Sequence, residues 1–219
     1  MSRAALLVNA LTFARVPLIV LWAAFAVPQE LTAGPASGGS LPLALAAALC
    51  MLLSGLTDLW DGQLARRWNV VSTLGKMADP LMDKVFYLVV FPVLVWQTAR
   101  QGESCVMELS VLALTVLYLL RDTWVTFMRS IGTMYGADVA AMRLGKVRTA
   151  LSFPGAGWIY AYLCFHGMVR SDAPWATDVW PASVLAVEAF LAALTLASLV
   201  TYTRAYLPFL RRALSQKGT

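Results

Sequence analysis

Six apolar stretches, each close to the ~20 residues that a helix needs to cross a bilayer core, dominate this chain: Leu6–Val27, Leu41–Leu59, Pro80–Trp96, Leu109–Phe127, Thr149–Met168 and Pro181–Tyr202. In lipid every backbone N–H and C=O must be satisfied internally, so such runs fold as helices or not at all. The expected fold class is therefore all-α: a polytopic membrane bundle of six transmembrane helices. Composition agrees, because only 13% of the 219 residues are charged, against roughly 25% in a soluble domain. One domain, 1–219, is expected, since no polar stretch is long enough to fold alone. Any chemistry must be done by the bundle itself.

Basic residues set the expected orientation. Of 17 lysines and arginines, only Arg100 and Arg170 fall in the loops after spans one, three and five. By the positive-inside rule, both termini and the loops after spans two and four face the cytoplasm. This makes the chain an integral protein of the cytoplasmic (inner) membrane. The net charge of +5 fits anionic lipid, and nucleic acid is not an expected partner. Ala24-Phe25-Ala26 resembles a leader cleavage site, but Arg15 interrupts the run before it, so the segment reads as a retained span. Pro28–Ser40 reads as a flexible outer connector, and Trp96, Trp175 and Trp180 as interfacial anchors. Cys50, Cys105 and Cys164 form no CxxC pair, and His166 reads as interfacial.

The polar sequence between spans two and three carries the chemistry. It reads Asp58-x2-Asp61-Gly62-x2-Ala65-Arg66-x8-Gly75-x3-Asp79-x3-Asp83. Asp58 and Asp61 are three apart and Asp79 and Asp83 four apart, so each pair shares a helical face. Gly75 and Pro80 bracket an expected helix start, with Asp79 as a candidate N-cap. If the two helices are antiparallel neighbours, the four acids meet. Ionised carboxylates beside apolar sequence need a cation. With no lysine or arginine alternating among them, divalent metal is expected, and all-oxygen ligands suit magnesium, manganese or calcium. Two ions bridged by shared carboxylates would satisfy this set. Gly62, Ala65 and Gly75 leave room for a ligand, and Arg66 stands one turn on, able to reach a phosphate as a planar fork. These are the parts of phosphoryl transfer.

The second polar region, Arg129–Arg148, is expected as a cytoplasmic loop. It holds Arg129, Arg143, Lys146 and Arg148, with Arg121 behind it inside span four. Positive-inside bias explains most of these charges. An arginine inside a span needs a partner, so Arg121 stands out. Arg121, Arg129, Lys146 and Arg148 are the candidates for holding a phosphate on the acceptor, with Arg121–Asp122 pairing as the structural alternative.

The eight-position acidic string resembles the signature of the CDP-alcohol phosphatidyltransferase family. The resemblance implies a CDP-diacylglycerol donor, a small hydroxyl acceptor, release of CMP and two divalent ions, Mg2+ or Mn2+. It implies that Asp58, Asp61, Asp79 and Asp83 ligate metal, with Asp83 also the base. Asn9, Thr12, Asp58, Gly62, Ala65, Arg66 and Gly75 would bind the CDP moiety. Within the family, Asn9-x2-Thr12-x2-Arg15, Asp58-Leu-Trp60-Asp61-Gly62, Asp79-Pro80-x2-Asp83-Lys84, Arg121-Asp122, Arg129 and Gly145-Lys146-x-Arg148-Thr149 resemble members that use sn-glycerol 3-phosphate. Ser152 and Asp122 depart from that group, which often has Gln and Glu there. The family is commonly dimeric, so a homodimer is a further expectation. Three alternatives stay open: the same chemistry on inositol phosphate, serine or another alcohol; a divalent-cation transporter; and a non-catalytic scaffold. A transporter should carry acids through the membrane's depth, and outside the motif only Glu188 lies deep in a span.

Overall fold

The computed structural model describes residues 3–32, 40–68, 70, 73–136, 142–165 and 179–215, apart from the side chains of residues 3, 73–80 and 143. The described residues form six helices and no strand: α1 (Arg3–Thr32), α2 (Leu41–Arg67), α3 (Thr73–Gln101), α4 (Cys105–Met134), α5 (Arg143–Phe165) and α6 (Trp180–Ser215). Four stretches, Ala4–Thr32, Leu41–Arg67, Leu81–Gln101 and Trp180–Ser215, are long and apolar enough to cross a membrane. The 30-residue α4 and the 23-residue α5 pack among them. His166, Arg170 and Trp175 lie outside the described residues.

The helices outrun the apolar segments that nucleate them, and the excess holds most of the polar motifs. α2 continues past Leu59 to Arg67, so Asp61, Gly62, Ala65 and Arg66 are helical. α3 is already helical at Thr73, so Asp79 lies inside the helix and is not an N-cap. The expected loop 129–148 is also mostly helix: α4 carries Arg129 and α5 carries Lys146 and Arg148. The expected connector's first five residues belong to α1, which runs through Thr32. Glycines in the left-handed region follow two helices, Gly102 after α3 (φ 66°) and Gly136 after α4 (φ 72°), where a β-carbon would be strained.

α1 packs against α2 and α3; α4 against α3 and α6; α5 against α2, α3 and α6. α1, α2, α4 and α6 each bury a stripe at spacings of three and four residues, whereas α5 also buries the consecutive Tyr162, Leu163 and Cys164. On α1 the stripe runs Asn9, Thr12, Arg15, Ile19, Trp22, Ala26. Its second half is apolar and joins a core drawn from all six helices. Its first three members are polar, as are buried Gln29 and Glu30 beyond Ala26. Small residues bring helices together, as lipid-exposed bundles require. Ala44 and Ala47 on α2 are fully buried, and a β-carbon on Gly155 of α5 would lie 2.5 Å from Leu191 of α6. Outward, Leu45, Leu49, Leu52, Leu88, Leu109, Leu120, Phe190 and Leu196 are exposed. An apolar exterior of that extent suits hydrocarbon rather than water.

Candidate functional site

Three helices contribute to the acidic site. α2 presents Asp58 and Asp61, α3 presents Asp83, and α1 reaches across with Thr12 and Arg15. The Arg15 side chain is wholly buried; it pairs through Nη2 with Asp58 and, at 3.3 Å, with Asp61, and through Nη1 with Asp83 at 3.4 Å. Thr12, one turn back, donates from Oγ1 to Asp61 Oδ2 at 2.8 Å. Asn9, buried one turn further back, continues this polar face.

Three of the four expected acids are therefore brought together, and a guanidinium already stands among them. From sequence, no lysine or arginine alternates with these acids; in the fold a basic partner comes from α1, more than forty positions away. A buried charge inside an apolar run was the available signal, and the argument applied to Arg121 applies equally to Arg15. Gly75 and Asp79 are described only as backbone within α3, and the Asp79 side chain lies outside what is described.

The donor set suits a hard divalent ion. It is all carboxylate oxygen, and the Asp58 and Asp83 side chains keep 33% and 28% of their surface open. Yet among the described residues no three acidic, histidine or cysteine groups stand ready to hold one ion. Asp58, Asp61 and Asp83 are each turned toward Arg15.

Gly62 and Arg66 flank this site on α2. A β-carbon on Gly62 would meet the Arg66 guanidinium at an ordinary 3.7 Å, so packing within the protein does not demand glycine there. Arg66 is exposed and Ala65 half-buried. Glu188 is buried on α6, which packs on α4 and α5, so it does not join these acids.

A second charged cluster joins α4, α5 and α6. Asp122 accepts from Arg121 Nη1 at 2.7 Å through Oδ1 and from Arg148 Nη2 at 3.2 Å through Oδ2. Arg121 Nη2 also donates to Ser198 Oγ at 2.5 Å, and its guanidinium lies 5.1 Å from the Tyr202 ring. Arg148 lies beside the stacked pair Tyr87 and Tyr118, whose ring centroids are 4.9 Å apart, with its guanidinium 4.9 Å from the first ring and 4.5 Å from the second. Its Nε and Nη1 are buried and make no hydrogen bond among the described residues. Ser152, where the sequence departs from its pattern, supports this arginine locally. Its hydroxyl donates to Arg148 O at 2.7 Å and meets Tyr118 Oη at 2.9 Å. Of the four expected phosphate-binding cations, Arg121 and Arg148 are brought together. Lys146 is exposed, and Arg129 is half-buried two turns along α4. Asp83 is one turn from Tyr87 on α3, so the two clusters are neighbours, and Asp83 feels the charges of Asp122 and Arg148. The contact of Arg148 with the Tyr87–Tyr118 stack is not foreseeable from sequence, since nothing local pairs an arginine with rings on two other helices.

Residues 5–197 match the model of the CDP-alcohol phosphatidyltransferase family. A cardiolipin synthase (CMP-forming) from Streptomyces coelicolor is 33% identical over 190 residues, covering 82% of this chain and 80% of that protein. The CDP-diacylglycerol–glycerol-3-phosphate 3-phosphatidyltransferase of Bacillus subtilis is 30% identical over 143 residues, 64% of this chain and 69% of the relative. The protein of that name from Shigella flexneri is 29% identical over 161 residues, 73% and 78% respectively.

Proposed function

Because the chain belongs to the CDP-alcohol phosphatidyltransferase family, we propose that it moves the phosphatidyl group of CDP-diacylglycerol onto a hydroxyl of sn-glycerol 3-phosphate. A new P–O bond forms to the acceptor oxygen, the P–O bond to CMP breaks, and phosphatidylglycerophosphate stays in the membrane. The observation that carries this reading is the meeting of Asp58, Asp61 and Asp83 around one buried point, at the end of an apolar bundle. The reaction named for the Bacillus and Shigella relatives supports the acceptor.

The site residues divide the work. Asp83 accepts the proton of the attacking hydroxyl. Asp58, Asp61, Asp79 and Asp83 would hold two divalent ions, which would supply positive charge to the diphosphate. Asn9, Thr12, Gly62, Ala65, Arg66 and Gly75 receive the CDP moiety, with Arg66 reaching phosphate. The buried donors of Arg148, steadied by Asp122 and two tyrosine rings, receive the acceptor's phosphate together with Arg121. Placement follows the charge bias: six spans, both termini and the site at the cytoplasmic face of the inner membrane, with a homodimer as the assembly.

A second acceptor, phosphatidylglycerol, stands beside the first. CMP-forming synthesis of cardiolipin, the activity named for the Streptomyces relative, adds a phosphatidyl group to a glycerol that already carries one. Asp122 offsets one of the two charges of Arg121 and Arg148. The single positive charge left over balances the one negative charge of a phosphodiester, and half of the two on a phosphomonoester.

The test is CMP release by purified protein from CDP-diacylglycerol with a panel of acceptors. Glycerol 3-phosphate should support turnover at least about tenfold above phosphatidylglycerol, serine or inositol phosphate, a gap of about 1.4 kcal/mol. Preference for phosphatidylglycerol would favour the second reading, and no CMP with any alcohol would refute both.

A further inference from the structure

Among the described residues, Arg15 makes ion pairs with three acids and none with its own helix. One contact is close and two are long for charge-assisted bonds, while Nε is buried with no hydrogen-bond partner among the described residues. The fork is thus held by charge more than by matched geometry. The same carboxylate oxygens cannot serve a guanidinium and a hard divalent ion together without bringing positive charges into contact. Nor can a wholly buried arginine be left without an anion.

We propose that Arg15 is an exchangeable counter-cation: it yields Asp58, Asp61 and Asp83 to divalent metal and takes the donor's diphosphate as its new partner. The inference rests on the phosphatidyl-transfer reading above. Its planar fork matches phosphate oxygens as well as carboxylates, and the diphosphate is the anion that enters this site with the donor. Thr12 keeps its bond to Asp61 during the exchange, so that carboxylate stays oriented when Arg15 leaves. Asp58 and Asp83, each about a third open or less, provide the side toward which the guanidinium can turn. Metal and donor then bind with positive coupling, since each relieves a penalty created by the other.

The full chain in nanodiscs tests this with Mn2+ binding, read from the spin resonance of the free ion, and CDP binding by calorimetry. Arg15→Gln should bind Mn2+ about tenfold more tightly than wild type without nucleotide, because a competing charge is gone. It should also lose about tenfold of the CDP affinity that Mn2+ confers on wild type. Unchanged or weaker Mn2+ binding, or an undiminished gain for CDP, would overturn the exchange. Should Arg15→Gln fail to fold, Arg15→Lys carries the test. It keeps the charge but not the fork, so Mn2+ affinity should stay near wild type while CDP affinity with Mn2+ falls; unchanged CDP affinity would overturn the proposal. Wild type that binds no Mn2+, with or without CDP, would instead remove the metal-dependent reading itself.

Discussion

Arg148 on α5 and Asp122 on α4 meet at 3.0 Å, with the guanidinium against the stacked rings of Tyr87 and Tyr118. The pair fixes an arginine whose remaining donors are buried and unused among the described residues. Arg148→Lys removes the fork and the guanidinium's contact with the two rings while keeping the charge. The expected result is a ten- to hundredfold loss of kcat/KM for the acceptor, the order that ~1.5–3 kcal/mol of charge-assisted bonding represents. Donor affinity should be unchanged in a CDP titration, and equal losses on both sides would make the role structural.

Asp83→Asn keeps size and shape but removes the proton acceptor. CMP release should fall by about 10²–10⁴, the range for a general base, while CDP-diacylglycerol still binds. Turnover near wild type would remove Asp83 from that role.

Asp61→Ala takes away a proposed metal ligand together with the partner of Thr12 and Arg15. Metal-dependent CDP affinity should vanish. Thermal stability should fall only by about 0.5–1.5 kcal/mol for the lost Thr12 bond, because Arg15 keeps Asp58 and Asp83 as partners. Retained metal-dependent binding in calorimetry would contradict the ligand assignment.

Gly145 links packing to the second cluster. A β-carbon there would lie 2.9 Å from Tyr202 Oη and 3.2 Å from Arg121 Nη2. Gly145→Ala should destabilise by about 1–3 kcal/mol through overpacking and raise the acceptor KM by displacing Arg121. A melting temperature and KM both unchanged would show that this contact gives way freely.

Much of this is legible in the sequence because it is written in local spacing. The apolar runs announce helices, and the i,i+3 pair Asp58 and Asp61 announces a shared face that α2 supplies. What is not legible depends on distant partners. Arg15 stands out in sequence only as an interruption of an apolar run, yet it collects acids from two other helices. Arg121 is expected to face a phosphate, with Asp122 as an alternative partner; in the fold that pairing is present, and Arg148 shares it. Helix ends are underestimated for a related reason. Hydropathy marks where lipid would be met, whereas α2 and α5 continue into polar sequence because the neighbouring helices and their charges hold the extra turns.

The central claim is phosphatidyl transfer to glycerol 3-phosphate, and product analysis tests it most directly. Purified protein is incubated with CDP-diacylglycerol, isotopically labelled glycerol 3-phosphate and Mg2+ or Mn2+, and the lipid and aqueous phases are analysed by mass spectrometry. The expected result is labelled phosphatidylglycerophosphate and CMP in equal amounts, with both abolished by a chelator and restored by added metal. CMP release with no label entering lipid, or label entering lipid at full rate in the chelator's presence, would contradict it.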